Sequence, residues 1–351
     1  MRMDEAGRSA GPGALIDPVL AKQYRVEGWW GDRSLADVVS ANAVARPDAE
    51  AVVSRRHRMT WRAYDEISAR VATALVRAGY ARGDRLAVWM PDSPIVHATY
   101  LGAERAGITV VGIGSRAGNR ELRHVIEQTG ARGLATWPSN DRDDPLEVVA
   151  GLRAAGTTID HIVVPSSDDE PDAPILIEGQ TADVTPVDLT GLGLGPDDLF
   201  LVNSTSGTTG LPKCVMHHQN RWMYFHQKAV ENAELVEDDV FLAAVPAPYG
   251  FGIWTSHFTP ALLGAKVVVV ERFEPGDAID LLEQERVTVL GCVSTQFIMM
   301  LEHPAFASAD LSSLRVMFTG GEAIPYERAA AFEDQTGCTV LQFFGSNETG
   351  L

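Results

Sequence analysis

The chain has 351 residues, of which 45% are hydrophobic and 22% are charged, the composition of an ordinary globular protein. This length predicts two or three domains. The formal net charge of −18 would repel nucleic acid and anionic membranes, so neither is an expected partner.

Cysteine usage and hydropathy point to a reducing cytoplasm. The chain has three cysteines, Cys214, Cys292 and Cys338, too few and too far apart for a disulfide framework or a zinc site. No apolar run approaches the length of a membrane span, and the N-terminus lacks the apolar core of a signal peptide. We predict that residues 1–22 form a disordered leader.

The first half of the chain alternates strands and helices. Thr60 is the predicted N-cap of a helix in which apolar residues recur at helical spacing from Trp61 onward. A buried strand over 85–90, a helix over 93–106 and a strand over 108–113 follow. Such units in series predict an α/β fold, with a parallel sheet and helices on both of its faces.

A glycine-rich turn follows this last strand. Gly112, Gly114 and Gly118 lie between a strand and a helix, as the glycines of a dinucleotide-binding fingerprint do. However, the third glycine comes one residue late, and no acidic residue closes the next strand at the usual distance. A nicotinamide-dependent oxidoreductase is therefore only a minor alternative.

The most informative segment runs from Ser204 to Lys213 and reads Ser-Thr-Ser-Gly-Thr-Thr-Gly-Leu-Pro-Lys. Apolar runs at 199–202 and 214–216 predict strands on both sides of it, which a flexible linker would not need. Its backbone amides and hydroxyls can surround phosphate oxygens, and Lys213 adds a positive charge. The spacing differs from that of a Walker A loop. We predict a phosphate-binding loop formed by Ser204, Thr205, Ser206, Gly207, Thr208, Thr209, Gly210 and Lys213.

This segment, together with Val215–Asn220 behind it, resembles the signature of the adenylate-forming (AMP-dependent) synthetases. The stretch 23–37 is similar to the N-terminal lead of medium-chain fatty-acid and cyclohexanecarboxylate CoA ligases in the acyl-CoA synthetase branch. The resemblance implies the large N-terminal domain of that family, with two similar α/β subdomains that we place at 23–190 and 191–351. It also implies an ATP- and Mg²⁺-dependent ligase that converts a carboxylic acid into acyl-AMP and transfers the acyl group to CoA.

Two later segments match further motifs of the same family. A strand at 314–318 runs into a Gly-Gly turn that resembles the turn lying against adenine. A strand at 340–344 runs into Phe-Gly-Ser-Asn-Glu, which resembles the family's aromatic-Gly-x-Thr-Glu element. The resemblance implies an adenine site formed by Gly320, Gly321, Glu322, Ala323, Phe344 and Gly345.

The same resemblance suggests roles for the polar residues. Asn347 stands where the family has a threonine that meets the α-phosphate, and its amide can still donate a hydrogen bond. Glu348, with Thr208, is the implied Mg²⁺ ligand. The implied catalytic residues are Lys213, His218 and Glu348.

The acid is expected to bind beside segment 246–254. Family members often carry a histidine after an aromatic residue there, and this chain has none. Members that activate amino acids carry an aspartate, which is absent between 245 and 263, so a fatty, alicyclic or aryl acid is favoured. The predicted acyl pocket comprises Tyr249, Phe251, Trp254, Thr295 and Gln296.

Family members continue past the last motif with a ribose-binding aspartate, a hinge and a small C-terminal lid domain that carries a catalytic lysine. This chain ends at Leu351, so we expect it to be truncated and to lack the lid domain. The alternative function is therefore a non-catalytic ATP-binding fragment or interaction module. The identity of the acid stays open, as does the oligomeric state, for which a homodimer is one option.

Overall fold

The computed structural model describes residues 16–138, 143–165, 173–204 and 210–348. The helices are α1 (Pro18–Val26), α2 (Leu35–Ala45), α3 (Trp61–Arg77), α4 (Pro94–Arg105), α5 (Asn119–Thr129), α6 (Pro145–Ala154), α7 (Gln219–Ala233), α8 (Gly250–Gly252), α9 (Thr259–Leu263), α10 (Pro275–Gln284), α11 (Ser294–Glu302) and α12 (Tyr326–Thr336). A π-helix (Ile253–Phe258) joins α8 to α9, and a 3₁₀ helix covers Pro304–Ser308.

The strands are β1 (Glu50–Val53), β2 (Arg58–Thr60), β3 (Arg85–Trp89), β4 (Thr109–Ile113), β5 (Gly133–Thr136), β6 (Asp160–Val163), β7 (Leu176–Ile177), β8 (Gln180–Thr181), β9 (Leu199–Ser204), β10 (Cys214–His218), β11 (Val240–Ala243), β12 (Lys266–Val269), β13 (Val289–Gly291), β14 (Val316–Gly320) and β15 (Thr339–Phe343). They form two sheets flanked by helices, which confirms the predicted α/β class. The predicted N-cap is also confirmed, because the Thr60 hydroxyl accepts a hydrogen bond from Ala63 N at 3.2 Å.

One sheet has eight strands in the order β10-β9-β4-β3-β5-β6-β7-β8. Its five central strands are parallel, whereas β10 at one edge and the β7–β8 hairpin at the other run antiparallel to their neighbours. Every residue of β4 is buried, as expected for a strand covered on both faces. The carboxyl ends of β3, β4 and β9 therefore lie along one edge of this sheet.

The other sheet has seven strands in the order β15-β14-β13-β11-β12-β1-β2. It is parallel except for β2. Strand β1 pairs with β12 in a register that sets Val52 opposite Val267. The division of the chain at residue 190 thus does not separate the two sheets, since β1 and β2 belong to the later sheet and β9 and β10 to the earlier one. Hydrophobic periodicity reports only local structure and carries no information on such distant pairing.

Regular secondary structure begins closer to the N-terminus than the sequence analysis predicts. Helix α1 begins at Pro18, inside the stretch predicted to be a disordered leader, and Asp17 caps it by accepting a hydrogen bond from Val19 N at 2.8 Å. Arg25 at its end forms ion pairs with Asp32 and Asp197. This segment is therefore held against the chain that leads into β9.

Buried polar side chains fix the start of α2. Glu104 on α4 accepts a hydrogen bond from Ala36 N at 2.9 Å, and Gln219 at the start of α7 accepts one from Leu35 N at 2.7 Å. Glu104 is 3% exposed, and its burial raises the pKa of its carboxyl from 4.5 to about 7.

Within the described residues, no helix is long and apolar enough to span a bilayer.

We expect Glu104→Gln to change how stability depends on pH. A carboxyl whose pKa is raised on folding contributes stability that is fully present below pH 4.5 and is lost as the pH rises to about 7. Glutamine can still accept from Ala36 N without ionising. Urea unfolding from pH 4.5 to 8 should show the variant gaining stability over the unmodified chain as pH rises, by on the order of 3 kcal/mol in all.

The matched control is Glu66→Gln, which removes an exposed glutamate from α3. A Glu104→Gln stability difference that is constant across this pH range would contradict the assigned ionisation.

Candidate functional site

The segments predicted to bind phosphate, adenine and the acid converge where strands of the two sheets end. Ser204 ends β9, and Gly320 and Phe343 end the neighbouring strands β14 and β15. In open α/β sheets the crevice outside the carboxyl ends of the strands is the usual place for a ligand. The side chain of Asn347, just beyond β15 of one sheet, contacts β9 of the other sheet and the start of α8.

Three elements meet at the Asn347 amide. Its Oδ1 accepts a hydrogen bond from Gly250 N at 3.1 Å and lies 3.3 Å from Asn203 Nδ2. Its Nδ2 lies 3.5 Å from the carbonyl oxygen of Ser204. The start of the phosphate loop, the start of α8 and the segment after β15 are thereby held together.

The strands predicted on both sides of the phosphate loop are confirmed. Strands β9 and β10 are antiparallel, and Ser204 pairs with Cys214, so the two ends of the loop lie side by side. Ser204 is buried and Lys213 is exposed, while the carbonyl of the buried Pro212 accepts from His124 Nε2 at 3.1 Å. The predicted ligands Thr205, Ser206, Gly207, Thr208 and Thr209 lie outside the described residues.

The predicted adenine segments are neighbours. Gly320 pairs with Phe343, and a Cβ on Gly320 would come within 2.4 Å of the Phe343 carbonyl oxygen, so only glycine fits there. Gly321 follows with a φ of +83°, a conformation that favours glycine. The next aromatic side chain, Phe344, is 98% exposed. The Phe344 ring is thus open to solvent next to a turn that begins with two glycines.

The remaining residues of the predicted adenine site flank this turn. Gly345 is half-buried, whereas Glu322 and Ala323 are exposed. The Glu322 carboxylate accepts a hydrogen bond from Ser294 N at 2.9 Å, which ties the turn to the start of α11.

The acid segment is packed tightly between the two sheets. Tyr249 is half-buried, and burial raises the pKa of its phenol, so the side chain stays neutral. Its hydroxyl would lie 2.3 Å from a Cβ placed on Gly114. The glycine-rich turn that resembled a dinucleotide fingerprint therefore provides close packing against Tyr249.

The other predicted acyl-pocket residues fall into three environments. Phe251 is half-buried, while Trp254 is almost fully buried, with its ring centroid 5.1 Å from that of Phe318 and 4.8 Å from that of Phe343. Thr295 is exposed. Both polar groups of Gln296 have structural partners, since it accepts from Val293 N at 3.0 Å and donates to Ala244 O at 2.7 Å.

The two adjacent histidines of β10 face different surroundings. His217 is fully buried, whereas His218 is half-buried with its ring centroid 4.8 Å from that of Trp30. Burial lowers the pKa of His218 to about 4, so it is neutral at physiological pH.

No group of three or more His, Cys, Asp and Glu side chains within residues 16–138, 143–165, 173–204 and 210–348 is arranged to hold a metal ion.

A hard cation bound through substrate phosphates needs only one or two protein oxygens. The Glu348 carboxylate is exposed next to Asn347 and meets this requirement. The second predicted metal ligand, Thr208, lies outside the described residues.

Sequence reasoning missed two buried polar side chains at this site. Asn203 is fully buried beneath Asn347, and Asp92 accepts a hydrogen bond from Ala247 N at 3.1 Å in the loop that leads to Tyr249. Both residues lie at or just beyond the carboxyl end of a buried strand. A polar residue at that position was the available signal.

A family model described as AMP-binding enzyme matches residues 39–351. A feruloyl-CoA synthase of Amycolatopsis sp is 33% identical over 305 residues, covering 86% of this chain and 57% of that protein. A medium-chain fatty-acid–CoA ligase of Escherichia coli is 30% identical over 329 residues, covering 93% of this chain and 57% of that protein. The chain thus spans a little over half the length of these relatives.

A solved structure of a putative long-chain fatty-acid CoA ligase from Rhodopseudomonas palustris has the same fold. It superposes with a TM-score of 0.74 at 23% identity, over 90% of this chain and 76% of that chain. The N-terminal domain of FACL13 from Mycobacterium tuberculosis also has a TM-score of 0.74, at 22% identity, over 89% of this chain and 76% of that chain.

We expect Gly252→Ala to destabilise the acid segment. A Cβ on Gly252 would lie 2.0 Å from the Pro246 carbonyl oxygen, so the backbone of this loop must shift, at about 1–3 kcal/mol. Thermal unfolding should show a lower midpoint.

The control is Gly151→Ala, at an exposed position in α6 where a Cβ meets nothing within 4 Å. It should raise stability by about 0.5–1 kcal/mol, because alanine is the better helix former. Equal effects of the two substitutions would contradict the tight packing of the acid segment.

Proposed function

The chain belongs to the AMP-binding enzyme family, and from this membership we propose that it is the nucleotide- and acid-binding part of an ATP-dependent carboxylic acid–CoA ligase. In the proposed reaction the carboxylate attacks the α-phosphate of ATP, giving acyl-AMP and releasing pyrophosphate. The CoA thiol then attacks the acyl carbon and releases AMP, so that the thiol proton is lost and a thioester forms.

The observation that carries this proposal is the meeting of three segments at Asn347. Ser204 is 143 residues and Gly250 is 97 residues away in sequence, yet both lie within hydrogen-bond distance of this one side chain. We assign each segment to a different part of the proposed substrates. The loop after Ser204 would bind the phosphates, the segment at Gly250 the acid, and the segment beyond β15 the nucleotide. Holding the reacting groups together supplies a large part of the catalysis in such a transfer.

We assign specific roles to the residues of the candidate site. The amide of Asn347 would donate to an α-phosphate oxygen, and the Phe344 ring would stack on adenine beside Gly320 and Gly321. Lys213 would add positive charge at the phosphates, against the overall charge of −18. Glu348 would hold Mg²⁺, which when bound neutralises charge on the phosphate oxygens.

The proposed substrate is an aryl, alicyclic or fatty acid. Tyr249 and Phe251 give this segment aromatic side chains, and no aspartate is present there to meet an amino group. The two relatives described above act, by their names, on an aryl and a fatty acid. All three cysteines are free thiols, which supports a reducing, cytoplasmic setting for the reaction.

The first test is acid-dependent exchange of labelled pyrophosphate into ATP, measured on this chain with fatty, alicyclic, aryl and amino acids. The proposal expects exchange with an acid from one of the first three classes and none with amino acids. Lys213→Ala should lower the exchange rate, while Lys228→Ala, which removes a half-buried lysine paired with Glu231 on α7, should not.

ATP binding without exchange for any acid, in a folded sample, would favour the alternative of a non-catalytic nucleotide-binding fragment. Exchange restricted to amino acids would contradict the proposed substrate class.

Phe344→Ala should separate recognition of adenine from recognition of phosphate. Because the ring is 98% exposed, its removal should leave the unfolding midpoint unchanged. Loss of one stacking partner should weaken ATP binding about tenfold. Binding of inorganic tripolyphosphate, which has no base, should not change in a calorimetric titration.

Tyr326→Ala removes another exposed aromatic ring, 84% exposed at the start of α12, and serves as the control. Equal losses of ATP affinity in both variants would refute the role given to Phe344.

A further inference from the structure

We propose that Arg221 and His217 are positioning residues, which orient Asn347 through Asn203 so that the Asn347 amide nitrogen faces the phosphates. This inference rests on the proposed function, because it takes Asn347 as a phosphate ligand. None of these three supporting residues was singled out as functional from the sequence motifs.

The four side chains form a continuous chain of contacts. Arg221 Nη1 lies 3.1 Å from His217 Nδ1, and His217 Nε2 lies 2.9 Å from Asn203 Oδ1. Asn203 Nδ2 then lies 3.3 Å from Asn347 Oδ1. The chain runs from α7, across β10 and β9, to the segment beyond β15, and so links both sheets.

The direction of each hydrogen bond follows from Arg221. A guanidinium can only donate, so His217 Nδ1 must accept, and the ring proton must be on Nε2. His217 Nε2 therefore donates to the oxygen of Asn203, which turns the Asn203 amide nitrogen towards Asn347. Each side chain of the network therefore has one orientation that forms hydrogen bonds with both of its neighbours.

This orientation has a consequence for Asn347. Its Oδ1 is occupied by two donors, Asn203 Nδ2 and Gly250 N. Its Nδ2 must then point the opposite way, where one hydrogen can face the Ser204 carbonyl at 3.5 Å. The second hydrogen is left to donate to a phosphate oxygen.

An asparagine suits this arrangement better than the threonine of the family motif. A threonine hydroxyl combines its single donor and its acceptor sites on one oxygen. The asparagine amide separates them, so that its oxygen can be held by protein donors while its nitrogen binds substrate. The network thus explains why this chain tolerates Asn347 in place of threonine.

Burial keeps the network in one arrangement. Asn203 and His217 are fully buried, so neither can exchange its partner for water. Burial, together with the nearby Arg221, lowers the pKa of His217 to about 3, which keeps its Nδ1 free of a proton. The same guanidinium donates from Nη2 to the Glu348 carbonyl oxygen at 2.5 Å and so holds the next residue too.

The test compares His217 at the end of β10 with His226 on α7. His217→Leu should raise the dissociation constant of ATP about tenfold, because Asn347 loses its fixed orientation. His226→Leu removes a half-buried histidine on α7 whose pKa burial also lowers, to about 4, and should change ATP affinity less than twofold. Equal ATP affinities for the two variants, in folded samples, would overturn the inference.

Asn347→Asp gives a second, nearly isosteric test. The aspartate keeps an oxygen that can accept from Asn203 and Gly250 but replaces the donor with a charged oxygen that repels phosphate. The unfolding midpoint should be retained, and ATP affinity should fall by more than the tenfold expected for His217→Leu. ATP affinity equal to that of the unmodified chain would overturn the inference.

A measurement on the unmodified chain does not depend on any variant folding. Nitrogen-15 NMR of the histidine rings at pH 7 should show His217 neutral with its proton on Nε2. A proton on Nδ1, or a doubly protonated ring, would overturn the inference.

The outcomes also separate this inference from the proposed function. If the unmodified chain binds ATP and His217→Leu binds it equally well, only the network fails. If the folded, unmodified chain binds no ATP, the proposed function fails and the network loses its role with it.

Discussion

The side-chain amide of Asn347 is the interaction on which the geometry of the candidate site depends. Each strand of the two sheets is held by its own backbone ladder, but these ladders do not set the position of one sheet relative to the other. Buried apolar side chains from both sheets pack in one core, and at the candidate site the Asn347 amide adds specific contacts with Gly250, Asn203 and Ser204. Because these contacts lie where the predicted ligand-binding segments meet, a small shift of one sheet relative to the other would change the position of the Asn347 amide.

Buried polar side chains act as the other organising feature of this fold. Glu104 and Gln219 hold the start of α2, and Asp92 holds the loop that leads to Tyr249. Each of these side chains accepts a hydrogen bond from a backbone N–H that is distant in sequence. A buried N–H without a partner is strongly disfavoured, so each pair selects one docking geometry among many that would bury equal apolar surface.

Local signals in the sequence predicted many of the strands and helices that surround the candidate site. The Thr60 cap, the strands beside the phosphate loop and the strand that precedes Phe344 all depend on patterns a few residues long. The pairing of Val52 with Val267 and the contact of His217 with Asn203 depend on the folded chain and leave no local pattern. Helix α1 was missed although Asp17 and Pro18 form a local helix-start signal, whereas its ion pair with Asp197 is long-range and leaves no local pattern.

The pairing of β1 with β12 also bears on how the chain folds during synthesis. Val52 and its partner Val267 are 267 − 52 = 215 residues apart, so the ribosome exposes β1 and β2 long before their neighbouring strand exists. Until then the β1–β2 hairpin presents the open edge of a sheet, a feature that favours aggregation. The last strand of the eight-stranded sheet, β10, ends at His218, so this sheet can form before β12 is synthesised and can pack against the unpaired hairpin. Closing the seven-stranded sheet therefore depends on a contact between residues far apart in the sequence, and such non-local contacts slow folding.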